Sequence, residues 1–312
     1  MDLYVNVEVS EDENGVSQVV LRSPRRASAR ISLHGGQVRS WKTEKGEQLL
    51  FTSSKANLKP PAAVRGGISI CFPQFGEQVS AEQHGFVRNR MWVIDSNPAP
   101  LHSIDSSTGI ASIDLVYIST DDDLRFWPHR FELRLRVILS VDGSLTLISR
   151  VRNVDCKPFS FAFAYHTYFS IGDIRRISQL KVHLNDSEVR VEGLETLDYL
   201  DNMLHRERFT EQEDAITFES EVDRVYVSTP DTVGIVDHEE KRTFVIKKEG
   251  LPDVVVWNPW DKKSKAIPDF GNNEYEFMLC VDAAAIENPI TLKPGEEWTG
   301  RVELSVTSSL KH

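Results

Sequence analysis

The sequence predicts an all-β protein, a large antiparallel sandwich with a few short helices. Three observations carry this expectation. Apolar and polar residues alternate over most of the chain, the period of strands with one buried face. Asp142 and Gly143 separate two such runs, a strong hairpin signal because both residues tolerate positive φ. No long segment has the three-to-four spacing of apolar residues that an amphipathic helix requires.

Taken in order, strands are expected at 18–23, 29–33 and 111–117. The clearest lies at 131–139, where Phe131, Leu133, Leu135, Val137 and Leu139 alternate with Glu132, Arg134 and Arg136. Leu145, Leu147 and Val151 continue the pattern beyond the Asp-Gly turn. Further strands are expected at 159–165, 188–191, 224–227, 243–248 and 253–257, and in the closing "WTGRVELSVTS". Short helices or turns are expected at 202–213 and 260–270. "DSSTG" at 105–109 and "STDDD" at 119–123 read as hairpin ends, and "EEKR" at 239–242 as a solvated hairpin loop. No repeat, low-complexity tract or linker interrupts the pattern, so one domain over 1–312 is the economical reading.

Composition narrows the function. Of 312 residues, 36 are Lys or Arg and 47 are Asp or Glu, a formal charge of -11. Such a chain does not suit a nucleic acid duplex, which calls for net or patchy basicity. A local anion pocket is still allowed, because a few focused charges can oppose the global field. No apolar run approaches the roughly 20 residues that span a bilayer. The acidic, alternating opening "MDLYVNVEVSEDENG" fits neither a secretory nor a transit peptide, and the expected location is cytoplasmic. Three cysteines, Cys71, Cys156 and Cys280, lack metal-ligand spacing, so neither a disulfide framework nor a metal site is expected.

Cations cluster in one stretch. Arg65 precedes Gly66 and Gly67, and Gln83, His84, Arg88 and Arg90 follow closely. Glycines let backbone approach a ligand without an intervening Cβ, and guanidinium groups suit phosphate or carboxylate. An arginine-bearing turn between strands is the alternative. His166 ends an alternation of Phe161, Phe163 and Tyr165 with alanines. It reads either as a satisfied structural histidine or as a general acid. Asp282 follows an apolar run and precedes three alanines, so it faces a cavity or caps a turn. Glu287 is a second carboxylate of that segment. Asp201 either meets sugar hydroxyls or caps the adjoining turn. Trp257 and Trp260 flank Asn258 and Pro259, offering sugar stacking or plain packing. No Walker-type loop and no signature of a Ser-His-Asp triad is present.

Seven stretches in order give these residues a common context: "GGQVRSW" at 35–41, "RGGISICFPQFG" at 65–76, "QHGFVRN" at 83–89, "WPHRFEL" at 127–133, "YHTYF" at 165–169, "VVWNPW" at 255–260 and "MLCVDAAA" at 278–285. Together, over about 20–305, they resemble the aldose 1-epimerase superfamily, in its glucose-6-phosphate 1-epimerase branch and its plant-type members. The resemblance implies a galactose-mutarotase-like supersandwich with one sugar cleft and no cofactor or metal. It also implies a small-molecule sugar phosphate as the partner, rather than nucleic acid or membrane. The implied reaction interconverts α and β anomers of a hexose 6-phosphate by ring opening and reclosure. In that chemistry a carboxylate takes the anomeric hydroxyl proton while a histidine protonates the ring oxygen.

His166 matches the family's acid. Asp282 stands where the family usually has glutamate, one methylene longer, which leaves Glu287 as the other possible base. Arg65, Gln83 and Arg88 match positions used around the substrate, with the arginines on phosphate. His84 matches a ring-contacting histidine, and Asp201 an acid on the sugar hydroxyls. The competing readings are a mutarotase for neutral aldoses, revealed by loss of phosphate preference, and a non-catalytic sugar-phosphate binder, revealed by binding without turnover.

Overall fold

Alternation of side chains across β-strands organises the computed structural model, which describes residues 6–76, 82–99, 110–175 and 189–308. In chain order the first strands are β1 (Asn6–Glu11), β2 (Ser17–Arg22), β3 (Ser28–Ser32), β4 (Val38–Lys42), β5 (Ile68–Cys71) and β6 (Val93–Ile94). The middle of the chain forms β7 (Ala111–Ile118), β8 (Phe131–Leu139), β9 (Leu145–Asn153) and the long β10 (Phe159–Ser170). Then come β11 (Val189–Glu192), β12 (Asp198–Asp201), β13 (Glu207–Thr210), β14 (Val222–Tyr226), β15 (Thr232–Asp237), β16 (Arg242–Glu249) and β17 (Asp253–Asn258). A short helix, α1 (Trp260–Ala266), precedes β18 (Met278–Leu292) and β19 (Glu297–Ser308).

Eleven strands make one sheet in the order β1-β2-β3-β4-β5-β10-β18-β17-β14-β12-β13, and eight make a second in the order β11-β15-β16-β19-β9-β8-β7-β6. Their pairings are antiparallel. The main core lies between the sheets. Phe161, Phe163 and Tyr165 of β10 join Leu133, Leu135 and Val137 of β8 and Val302 and Leu304 of β19. Phe163 meets Trp298 at 4.9 Å between ring centroids, and the Tyr165 hydroxyl donates to Ser149 Oγ across the layers at 2.7 Å. Each such aromatic side chain contributes about 1.5–3 kcal/mol through burial.

The even-numbered residues of β10 point the other way. Ala164, His166 and Tyr168 occupy the outer face of the larger sheet, and Cys280, Asp282 and Ala284 of β18 stand beside them. Loops cover this outer face, so β10 and β18 are buried on both sides along much of their length.

The expected strands are present, with ends shifted by a few residues; "DSSTG" and residue 188 lie outside the described residues. As expected, 260–270 holds a short helix, Trp260–Ala266, followed by a turn. Two expectations need correction. Residues 202–213 hold a 3-10 turn at Asn202–Leu204 and then β13, because capping by Asp201 marks the entry while pairing with β12 decides the rest. At the β8–β9 hairpin only Gly143 takes positive φ, at 88°, while the Asp142 carboxylate accepts the Ser144 N–H at 3.0 Å.

Gly66 and Gly67 have φ of 140° and 63°. A Cβ on Gly66 would lie 2.5 Å from the Phe51 carbonyl oxygen, and one on Gly67 would collide with the Val38 carbonyl oxygen. Their lack of side chains therefore serves close approach of the protein's own backbone, not of a ligand. Gly67→Ala is expected to lose about 2–3 kcal/mol of stability, read as a lower midpoint in urea unfolding; an unchanged midpoint would contradict this account.

Candidate active site

Four strands that are distant in sequence bring the outer-face residues together. β10 pairs with β5 on one side, placing Ser69 opposite His166. On the other side it pairs with β18, placing Ala283 opposite Tyr165. β17 lies on the far side of β18, with Val255 opposite Asp282.

His166 and Asp282 form a buried pair. His166 Nδ1 lies 2.7 Å from Asp282 Oδ2, and Asp282 Oδ1 accepts the Thr167 N–H at 2.8 Å. A carboxylate only accepts, so Nδ1 carries a hydrogen, and in the neutral form of the ring Nε2 is the acceptor. Asp282 is 0 % exposed and both its oxygens are engaged, so it holds the imidazole rather than facing open space. The shorter side chain at this position fits that arrangement.

Next to the pair is a chain of polar contacts. Tyr168 Oη lies 3.0 Å from His166 Nε2 and accepts from Arg65 Nη1 at 3.3 Å. Arg65 also grips Asp269 through Nε at 3.2 Å and Nη2 at 3.1 Å. Burial works against the charge of Arg65, yet Tyr168 and Asp269 hold it above the ordinary arginine value. Burial keeps Tyr168 a neutral phenol by raising its pKa.

Arg65, Gln83, Arg88, Ser69, Tyr168 and Asp269 are among the residues around a cavity of ≈ 200 Å³. Arg88 gives Nη2 to the Gln83 carbonyl oxygen at 2.9 Å, and its buried Nε has no hydrogen-bond partner. Among the described residues it makes no ion pair. Burial lowers its pKa, with Arg65 adding like-charge repulsion. A half-buried guanidinium that no carboxylate pairs is costly unless something anionic completes it. Arg90 differs, because Glu82 and Asp123 neutralise it at 2.8 and 3.2 Å.

His84 turns at φ 61°, and its Nδ1 accepts the Gly76 N–H at 3.1 Å. Its ring centroid lies 5.3 Å from that of His166. Burial first, then His166, Arg88 and Arg65, push its pKa well below the usual histidine value. His84 is therefore neutral near pH 7, with Nε2 its remaining donor.

Five of the residues read from the sequence thus gather near His166: Asp282, His84, Arg65, Arg88 and Gln83. Two do not. Asp201 stands in the register row Asp201–Arg224–Val256–Val281, which faces the inter-sheet side. Its carboxylate accepts the Met203 N–H at 2.9 Å, the capping role. Glu287 lies five residues beyond Asp282, about 17 Å of strand, and pairs with Arg206 and Arg208 at 3.2 and 3.4 Å.

The outer face carries an acid that the sequence reading missed. Asp223 belongs to the row Asp223–Trp257–Cys280–Tyr168. Asn202 Nδ2 donates to it at 2.7 Å, Lys263 Nζ lies 3.6 Å away, and burial raises its pKa. Extending the strand expected at 224–227 by one residue would have put Asp223 on the face of Val225 and Val227. In the same row, Trp257 lies 6.1 Å from the rings of both His166 and Tyr168, whereas Trp260 packs on Tyr275 at 5.3 Å. His166, Cys280 and Asp282 offer metal-ligand atoms within 4.8 Å of one another, but a cation there would have to break the His166–Asp282 hydrogen bond.

The two-sheet architecture is that of the galactose mutarotases. A galactose mutarotase-like protein from Clostridium acetobutylicum superposes with TM-score 0.71 at 18% identity, covering 98% of this chain and 99% of that one. Galactose 1-epimerase from Lactobacillus acidophilus superposes with TM-score 0.72 at 12% identity, over 99% and 100%. The chain belongs to the aldose 1-epimerase family, whose model matches residues 17–305. It is 57% identical over 304 residues, 97% of its length and 88% of the relative's, to a Cenchrus ciliaris protein provisionally named glucose-6-phosphate 1-epimerase. An Escherichia coli protein with the same provisional name is 28% identical over 85% of this chain and 82% of that one. The protein is accordingly an epimerase acting at a sugar's anomeric centre. Among the described residues, no helix is long and apolar enough to cross a membrane.

Proposed function

We propose that the protein interconverts the α and β anomers of a hexose 6-phosphate, with glucose 6-phosphate as the substrate named for its relatives. The observation that carries this reading is Arg88, whose half-buried guanidinium, its Nε without a partner, lines the same cavity as Arg65. A phosphate dianion supplies the missing counter-charge, and paired guanidinium donors match its oxygens.

In this reading the His166–Asp282 pair carries the proton. Nε2 takes the proton of the anomeric hydroxyl as C1=O forms and the bond from C1 to the ring oxygen breaks. The resulting imidazolium is stabilised by Asp282 and returns one proton to the ring oxygen. Both sugar oxygens share C1, so one nitrogen can serve them in turn. Rotation about the bond next to the aldehyde presents its other face, and the same steps in reverse close the ring. In the same reading His84 Nε2–H and Asp223 bond sugar hydroxyls, and Trp257 packs on the ring.

Anomer exchange followed by magnetisation-transfer NMR, with glucose 6-phosphate and glucose compared at equal concentration, tests the substrate. Faster exchange of the phosphate ester supports the reading; equal acceleration of both sugars removes phosphate from it. Asp282→Asn is expected to lower kcat by up to about 10⁴-fold, the scale on which a histidine loses its tautomer-fixing carboxylate. Glu287→Gln is expected to leave it unchanged. The reverse ranking would transfer the carboxylate's role to Glu287.

A further inference from the structure

Tyr168 joins the two halves of the site, and its hydrogen bonds have a direction. Asp282 takes the hydrogen on His166 Nδ1, so Nε2 of the neutral ring must accept. The 3.0 Å contact at Nε2 is therefore donated by the Tyr168 hydroxyl. Arg65 has no acceptor, so its Nη1 donates to Tyr168 Oη at 3.3 Å. The run Arg65→Tyr168→His166→Asp282 is thus polarised one way, and it passes through the nitrogen that must exchange protons with the sugar. Tyr168 also lines the arginine cavity, and it is 2 % exposed, so water does not compete for its hydroxyl.

We infer that Tyr168 is a positioning residue that couples occupancy of the phosphate cavity to the availability of His166. This rests on the hexose 6-phosphate reading above. With the cavity empty, the Tyr168 hydroxyl blocks His166 Nε2, and Arg65 holds the phenol in place. A phosphate between Arg65 and Arg88 draws Arg65 Nη1 to its own oxygens and gives the phenol a stronger, charged acceptor. The Tyr168 hydroxyl turns to the phosphate, and Nε2 is left free for the sugar. Preference for phosphorylated sugars then has two sources, binding affinity and release of the proton carrier. A neutral sugar engages a site whose base is still occupied.

Phosphate supplied as a separate piece tests this coupling. Epimerisation of glucose by the wild-type protein is measured with and without inorganic phosphate. Phosphate is expected to raise kcat/KM for glucose roughly tenfold, the scale of one hydrogen bond, and ¹⁵N NMR should show His166 Nε2 losing its bond at the same phosphate concentration. In Tyr168→Phe, which removes only the hydroxyl, glucose turnover without phosphate is expected to rise and activation by phosphate to vanish. Thermal melting of this variant reports whether it is folded. Wild-type turnover of glucose 6-phosphate with no activation of glucose by phosphate and no change at Nε2 would overturn the coupling and leave the substrate assignment standing. So would a Phe variant that keeps the activation. If the wild-type protein accelerates neither sugar, the coupling and the reading beneath it fall together.

Discussion

His166→Ala is expected to lower turnover of glucose 6-phosphate by about 10²–10⁴-fold, the contribution of one positioned acid or base. The loss should fall on kcat, because the imidazole sits beside the arginine cavity rather than in it, and KM should move little. Substitution also leaves Asp282 fully buried without its principal donor, keeping only the Thr167 N–H at 2.8 Å. His166→Gln retains a side-chain donor there and cannot carry the proton, so it should match the alanine variant in kcat while melting higher. Magnetisation-transfer NMR on both variants checks this. A His166→Gln protein with near wild-type kcat would remove His166 from the chemistry.

Arg88→Met is expected to lower kcat/KM for glucose 6-phosphate by about 10²–10³-fold, within the range for removing one partner of a buried charged contact. Glucose should be far less affected, because the substitution removes the phosphate's partner and leaves the His166–Asp282 pair in place. The effect on the empty protein should run the other way. Arg88 makes no ion pair among the described residues, and its buried Nε has no partner. A methionine of similar length removes that desolvation and the repulsion from Arg65, so the variant should melt higher in buffer without anions. Inorganic phosphate should stabilise the wild-type protein by mass action and the variant much less. A variant that is less stable and equally discriminating would show that Arg88 serves the fold.

Much of this site can be read along a single strand. The alternation of Phe161, Phe163 and Tyr165 with small residues places His166 on the face away from the core, and the observed packing agrees. Strand pairing is where such reading ends. Asp201 and Asp223 are both acids at strand ends, and only the rows running through β14, β17 and β18 separate the inner from the outer face. Likewise Gly66 and Gly67 read either as room for a ligand or as a plain turn until the Thr52 and Val38 backbones are seen against them. Tyr168 reads as one more aromatic of an apolar strand, because nothing in the sequence reveals that Arg65, 103 positions earlier, reaches its hydroxyl. The β12–β13 hairpin is hidden for a related reason: Asp201 and Asn202 favour a turn locally, and only pairing with β12 makes 207–210 a strand.

The order of strands around β10 also governs when the site can exist. His166 and Asp282 are 116 positions apart, and β5, β10, β18 and β17 must lie side by side before the outer face is complete. Such long-range pairings close large loops before their contacts stabilise anything, which makes them slow. On an emerging chain, β10 is synthesised well before either the strand that gives His166 its carboxylate or Asp269, which anchors Arg65. Until β18 arrives, β10 has an unpaired edge on the side away from β5, the kind of edge that invites association with other chains. Catalytic competence and protection of that edge therefore arrive in one step, when β18 docks.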